Sequence, residues 1–134
     1  MSAAEAGFTL DAGALIALER NDPAMFRLLR KARVGDAELA VPRSVIAQVW
    51  RGTPRQANIA LLLKVGGTPV PSVIIDELTD ERAKKIGIEI GRSAHPDIVD
   101  VHVALVAREH GHAVITSDGG DIAKIDSDLE IIHI

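Results

Sequence analysis

The chain has no cysteine. That absence excludes disulfides, thiolate metal sites and cysteine nucleophiles, and it fits a reducing cytosol. It has no tyrosine, and its aromatic residues are Phe8, Phe26 and Trp50 alone. Base-stacking platforms of the single-strand-binding kind are therefore not available. No apolar run approaches the roughly 18 residues that suggest a membrane span. The N-terminus lacks a basic region followed by an apolar stretch. These absences predict a soluble, cytoplasmic protein with no membrane partner. Neither Gly-x-Gly-x-x-Gly after a strand nor a Walker-type Gly-Lys-Ser/Thr occurs, so no nucleotide cofactor is indicated. The histidines, His95, His102, His110, His112 and His133, show no zinc spacing such as His-x-x-x-His with a third ligand. Turn and surface roles are expected for His95 and His102.

What is present is aliphatic. Of 134 residues, 47% are hydrophobic. A single domain over residues 1–134 is expected, because a chain near 150 residues buries roughly two thirds of its unfolded surface. The net charge of -4 argues against nucleic-acid binding by bulk charge. Basic residues are nonetheless concentrated: Arg27, Arg30, Lys31 and Arg33 in one segment, then Arg43, Arg51 and Arg55. Solvated helix faces account for these residues; the alternative is a local basic surface beside an acidic pocket.

Short β-type segments alternate with helical ones. Residues 8–11 read as a strand and 12–20 as a helix. Asp22-Pro23 offers an N-cap followed by proline at the first helical position, opening a helix to about residue 33. Residues 39–41 read as a strand, followed by a helix from Pro42 through Trp50. Thr53-Pro54 repeats the cap-plus-proline signal for a helix to about residue 65, closed by Gly66-Gly67. Residues 68–75 are β-rich but carry Pro69 and Pro71, which predicts an edge strand. A helix is expected over residues 78–92 and a buried one over 98–110, which is apolar on nearly every face. Residues 113–116 have the continuous apolar character of a central parallel strand. A helical turn near 120–125 leads to a last strand at 129–133. Strands separated by helices imply right-handed crossovers and a mainly parallel sheet. The fold class is α/β, a three-layer α/β/α domain.

Aspartates stand where strands end and helices begin. Asp11 and Asp118 each close an apolar strand, and Asp97 and Asp100 open the buried helix three residues apart. Ligands of open parallel sheets bind outside the carboxyl ends of strands, where the strand order reverses. Carboxylates gathered there repel: two like charges at 4 Å cost roughly 4 kcal/mol at an effective dielectric of 20. A cation, a proton or a basic partner is needed to hold them together. Oxygen-only ligands suit Mg²⁺ or Mn²⁺, and such an ion could clamp a scissile phosphodiester. Asp97 also has a plain structural reading as an N-cap after Pro96, and Asp121 as the cap of the following turn. Asp100 has no such reading. Thr116 and Ser117 offer hydroxyls to water or phosphate, or are surface turn residues.

Four stretches in order resemble the PIN-domain ribonucleases, and within them the VapC toxins of toxin–antitoxin pairs. They are Leu10-Asp11-Ala12-Gly13-Ala14-Leu15-Ile16-Ala17, Val41-Pro42-Arg43-Ser44-Val45-Ile46-Ala47-Gln48-Val49-Trp50, Asp100-Val101-His102-Val103-Ala104-Leu105-Val106-Ala107, and Val114-Ile115-Thr116-Ser117-Asp118 followed by Asp121-Ile122. The resemblance spans nearly the whole chain and implies one PIN-like domain. Carried over position by position, Asp11 and Asp100 become the main metal ligands, and Asp118 completes the acidic pocket. One position departs: the family usually has a glutamate where this chain has Gln48. An amide oxygen coordinates weakly and cannot take a proton as a base. Asp97, one turn before Asp100, would then supply the missing charge and join the catalytic set.

The resemblance implies a Mg²⁺-dependent endoribonuclease toxin, a homodimer inhibited by a cognate antitoxin, cutting structured RNA such as transfer or ribosomal RNA. Arg20, Arg43 and Arg51 are the candidates to guide the RNA backbone. The antitoxin would lay a helix into a groove of the early helices, with an arginine in the acidic site. A non-catalytic PIN-like module that binds RNA or antitoxin is the alternative, favoured by Gln48. A receiver domain is disfavoured: the last two strands carry no lysine, and residues 39–41 do not end in aspartate.

Overall fold

A sheet of parallel strands organises the molecule. The computed structural model describes residues 6–68 and 72–134. Five strands, β1 (Gly7–Leu10), β2 (Glu38–Pro42), β3 (Val73–Asp76), β4 (Ala113–Thr116) and β5 (Ile131–His133), lie in the order β3-β2-β1-β4-β5. Every pairing is parallel. The chain winds outward from β1 to β3, then returns to place β4 on the other side of β1. The order therefore reverses between β1 and β4. Their register sets Phe8 beside Ala113, Thr9 beside Val114 and Leu10 beside Ile115, so the first residues beyond both strands emerge at one edge.

Helices flank the sheet. On one side lie α1 (Ala12–Glu19), α2 (Pro23–Arg33) and α4 (Ala57–Gly66), packed on one another and on the strands. On the other, α6 (Ile98–His110) crosses β1, β2 and β4, with α5 (Asp80–Ser93) and α7 (Gly120–Ile125) packed against it. The short α3 (Arg43–Val49) touches both α1 and α6. Residues Val101 through Ala107 of α6 are buried without interruption, which explains why its apolar residues cover nearly every face: sheet, α5, α7 and α3 enclose it. Leu10, Leu15, Leu18, Leu39, Val41 and Val114 supply the centre of the main core. The basic residues of α2 are exposed while Met25, Leu29 and Ala32 are buried, an amphipathic helix with a solvated face.

Several boundaries differ from expectation, each for a local reason. Asp11 is the N-cap of α1, its side chain accepting from Ala14 N at 3.0 Å, so β1 ends one residue earlier. Thr79 caps α5 through its hydroxyl, which starts that helix at Asp80 rather than Leu78. Pro54–Gln56 form a single 3-10 turn before α4, since the Gln56 side chain ties back to Arg51 N and Val49 O. Strand β3 lies at the sheet edge as expected but begins at Val73; Pro69 and Pro71, on which that expectation rested, lie outside the described residues.

Candidate metal centre

The carboxylates divide into two neighbouring groups along the carboxyl edge of the sheet. The first forms where β1 and β4 end. Asp11 N donates to Ile115 O at 3.3 Å, which continues the β1–β4 ladder and brings the Asp11 carboxylate beside Thr116. The fully buried Thr116 hydroxyl donates to that carboxylate and accepts from Asp118 N at 2.9 Å. One threonine thus fixes both aspartates. Gly13 lies so close to Ser117 that a Cβ there would overlap the Ser117 side chain and its backbone nitrogen; only glycine lets α1 approach the β4 turn this tightly. Burial pushes the Asp11 carboxyl above its usual range, with Asp118 adding repulsion. The Thr116 hydroxyl and the Ala14 and Gly13 amides oppose the shift.

The second group forms where α6 begins. Asp97 caps α6 by accepting from Asp100 N at 2.9 Å. Asp100 is raised above the usual carboxylate range by burial first and then by Asp97, with Asp121 adding repulsion; His95 opposes, its Nε2 lying 3.3 Å from Asp100 Oδ2. Single ligating atoms of His95, Asp100 and Asp121 fall within 4.8 Å of one another. His95 reaches this place because Ala94 ends α5 in the left-handed region, at φ 59°. That conformation costs an L-residue roughly 1–2 kcal/mol. The β4–α7 turn joins the two groups: Asp118 faces Asp11, and Asp121, in the first turn of α7, faces Asp100.

Asp11, Asp100 and Asp118 thus occupy the strand-end and helix-start positions read from the sequence. Asp97 is exposed and acts as the cap, while Asp121, read as a cap, sits within reach of Asp100. Gln48 is exposed on α3. Arg43 is engaged by Glu77 in a two-pronged pair, at 3.1 and 2.6 Å, so its charge is met within the chain; Arg20 and Arg51 are exposed.

His95 lies in the α5–α6 turn, as expected, with its ring against Asp100; the turn or surface role expected for His102 fails. His102 is completely buried, bonded through Nδ1 to Ser44 Oγ and through Nε2 to Asp76 Oδ1, each at 2.7 Å. Burial holds its pKa below the usual value, against the pull of Asp76. Asp76 in turn takes Arg82 on both oxygens, and Arg82 also grips Glu109. This network binds α3, β3, α5 and α6 behind the acidic site. The signal for it was the i,i+2 position of His102 after Asp100 within an apolar helix, where an exposed histidine has no place.

Among solved structures, the chain is similar to VapBC2 from Rickettsia felis bound to a DNA fragment from their promoter, with 12% identity, a TM-score of 0.65, and 96% of this chain and 98% of that one covered. It is also similar to FitAcB from Neisseria gonorrhoeae, with 15% identity, a TM-score of 0.52, and 94% and 96% covered. At these identities the likeness is one of fold. No curated protein sequence matches the chain. The model of the PIN domain family matches residues 8–127, nearly the whole of the sheet and both groups of carboxylates, and the chain belongs to that family.

Proposed function

We propose that this protein is a Mg²⁺-dependent endoribonuclease of the VapC toxin type, cutting structured RNA in the cytoplasm, working as a homodimer and silenced by a cognate antitoxin. The observation that carries the reading is the charge-strained site at the β1–β4 switch point, in a chain of the PIN family. Asp11 and Asp100 are both held above the usual carboxylate range by burial and by neighbouring aspartates, the state that a bound cation relieves. The carboxylate donors are hard oxygens, which suit Mg²⁺ or Mn²⁺, with the His95 Nε2 the one nitrogen grouped with them.

Asp11 and Asp100 would hold the ion, with Asp121 beside them. A divalent ion in such a site polarises the phosphodiester and lowers the pKa of a bound water. The chain's own groups do the rest. Thr116 ties the Asp11 carboxylate to the backbone nitrogen of Asp118, and Asp118, at the solvent side, would receive the proton of the attacking water. Asp97 holds the first turn of α6 and adds negative charge next to Asp100, supporting a role in place of the glutamate absent at Gln48. Arg20 and Arg51 lead the RNA backbone toward the edge. Residues Ile16 on α1 and Phe26 on α2 are exposed and offer an antitoxin helix apolar contact. The likeness to VapBC2 and FitAcB supports a partner of this kind.

The test is cleavage of transfer and ribosomal RNA by purified protein with Mg²⁺, compared with Asp11→Asn and Asp100→Asn. Loss of cleavage in both variants, with unchanged circular dichroism, is expected. Undiminished cleavage by either removes the assignment. The second reading, a non-catalytic RNA-binding module, rests on Gln48; it gains if the native protein retains RNA without cutting it in either metal.

A further inference from the structure

A second set of ligating side chains lies at the opposite edge of the sheet, where the parallel strands begin. Glu38 opens β2, His112 precedes β4 and His110 ends α6. Four-residue strands at about 3.3 Å per residue separate this edge from the aspartates by roughly 13 Å. The His112 ring is buried over Gly7, where any Cβ would overlap it. Its Nε2 lies 2.7 Å from Glu38 Oε1, and its Nδ1 lies 3.1 Å from the hydroxyl of the fully buried Thr9. Gly111, at φ 69°, turns the chain between the histidines, and their rings stack with centroids 5.1 Å apart. One ligating atom from each of Glu38, His110 and His112 falls within 4.8 Å of the others.

We propose that Glu38, His110 and His112 form a binding site for Zn²⁺ or a similar nitrogen-seeking divalent ion, separate from the acidic centre. Two imidazoles and a carboxylate are a zinc-type donor set, whereas Mg²⁺ takes oxygen. Tetrahedral bonds of about 2.0–2.1 Å require donors roughly 3.3 Å apart. The Glu38–His112 pair opens slightly to meet that, and His110, being exposed, swings in. With an ion bound, Thr9 would supply the partner that ligating histidines need on their other nitrogen: its oxygen would accept from Nδ1–H, and the Nε2 proton that faces Glu38 would give way to the ion. An ion pair of Glu38 with His112 alone accounts for neither the stacked His110 nor the room made by Gly7. A bound ion would clasp the end of α6 to the starts of β2 and β4.

The test uses Asp100→Asn protein in excess Mg²⁺, so that the acidic centre does not compete, titrated with Zn²⁺ by calorimetry and by thermal unfolding. One Zn²⁺ per chain and a raised Tm are expected. His110→Ala and Glu38→Gln, each added to this background, should weaken binding at least ~10-fold, the minimum loss seen when even an outer-shell partner of a ligand is removed. Both positions are partly or fully exposed, so the variants should fold, which circular dichroism checks. No Zn²⁺ uptake, or uptake unchanged in both variants, overturns the proposal. Neither result bears on RNA cleavage.

Discussion

Replacing Asp100 by Asn removes one charge from the strained cluster while sparing the cap, because Asp97 accepts from the backbone nitrogen of residue 100 and not from its side chain. Ligating atoms of Asp100 and Asp121 lie within 4.8 Å. At that separation two carboxylates repel by about 3.5 kcal/mol at an effective dielectric of 20 and by about 0.9 kcal/mol in bulk water. The Asp100 side chain is 27% exposed, so the relief falls between those limits. Against it stands the lost contact with His95, a partly exposed pair contributing roughly 0.2–1 kcal/mol. The metal-free variant should therefore be more stable than the native protein by up to about 3 kcal/mol. For a chain of this size that is a Tm increase of up to roughly 10 °C. The sign with pH follows from the raised pKa: the folded state binds the Asp100 proton more tightly, so native stability falls as pH rises above 3.8. The variant's advantage should then shrink as pH approaches 3.8 from above. Calorimetric unfolding in chelator at low salt measures the gain. Added Mg²⁺ should raise the native Tm more than that of the variant, because only the native site holds the full donor set. A variant that is less stable without metal, or a Mg²⁺ effect equal in both, refutes the reasoning.

Two further outcomes test the scaffold. His102 has a folded pKa below 6.5, so the unfolded chain takes its proton first and stability is lost as pH falls from about 6.5. His102→Gln should flatten that slope in urea unfolding between pH 5 and 7.5, while costing about 1–3 kcal/mol at pH 7.5 through the broken Ser44 and Asp76 bonds; identical slopes contradict the assignment. Gly13→Ala, which forces a Cβ against Ser117, should destabilise by about 1–3 kcal/mol and weaken Mg²⁺ binding as α1 moves off the β4 turn, both read by thermal unfolding with and without Mg²⁺.

The fold was legible wherever one segment carried its own signal. Helix α6 and strand β4 begin and end where their apolar runs do, and Asp11, Asp100 and Asp118 stand out in the sequence because a carboxylate adds nothing to the packing of the apolar segments that they adjoin. The adjacency of β1 and β4, needed for Asp11 and Asp118 to meet, is a fact of the strand order; the topological rule says only that ligands bind where such an order reverses. What escaped were partners far apart in sequence. Ser44 and Asp76 are 58 and 26 residues from His102, and Glu38 is 74 from His112; no local spacing announces such pairs. Asp121 escaped for a related reason: it opens a helix as a cap would, and only the tertiary turn brings it, like Asp97, up to Asp100.

The strand order also has a consequence in time. β1 is made well before its neighbour β4 and the helices α6 and α7, which follow about ninety or more residues later. A growing polypeptide carrying Asp11 has no Asp100, Asp118 or Asp121 to set beside it. Closing the sheet across so long a separation is entropically slow. The carboxylates therefore assemble only once the segment that carries Asp121 has joined the sheet.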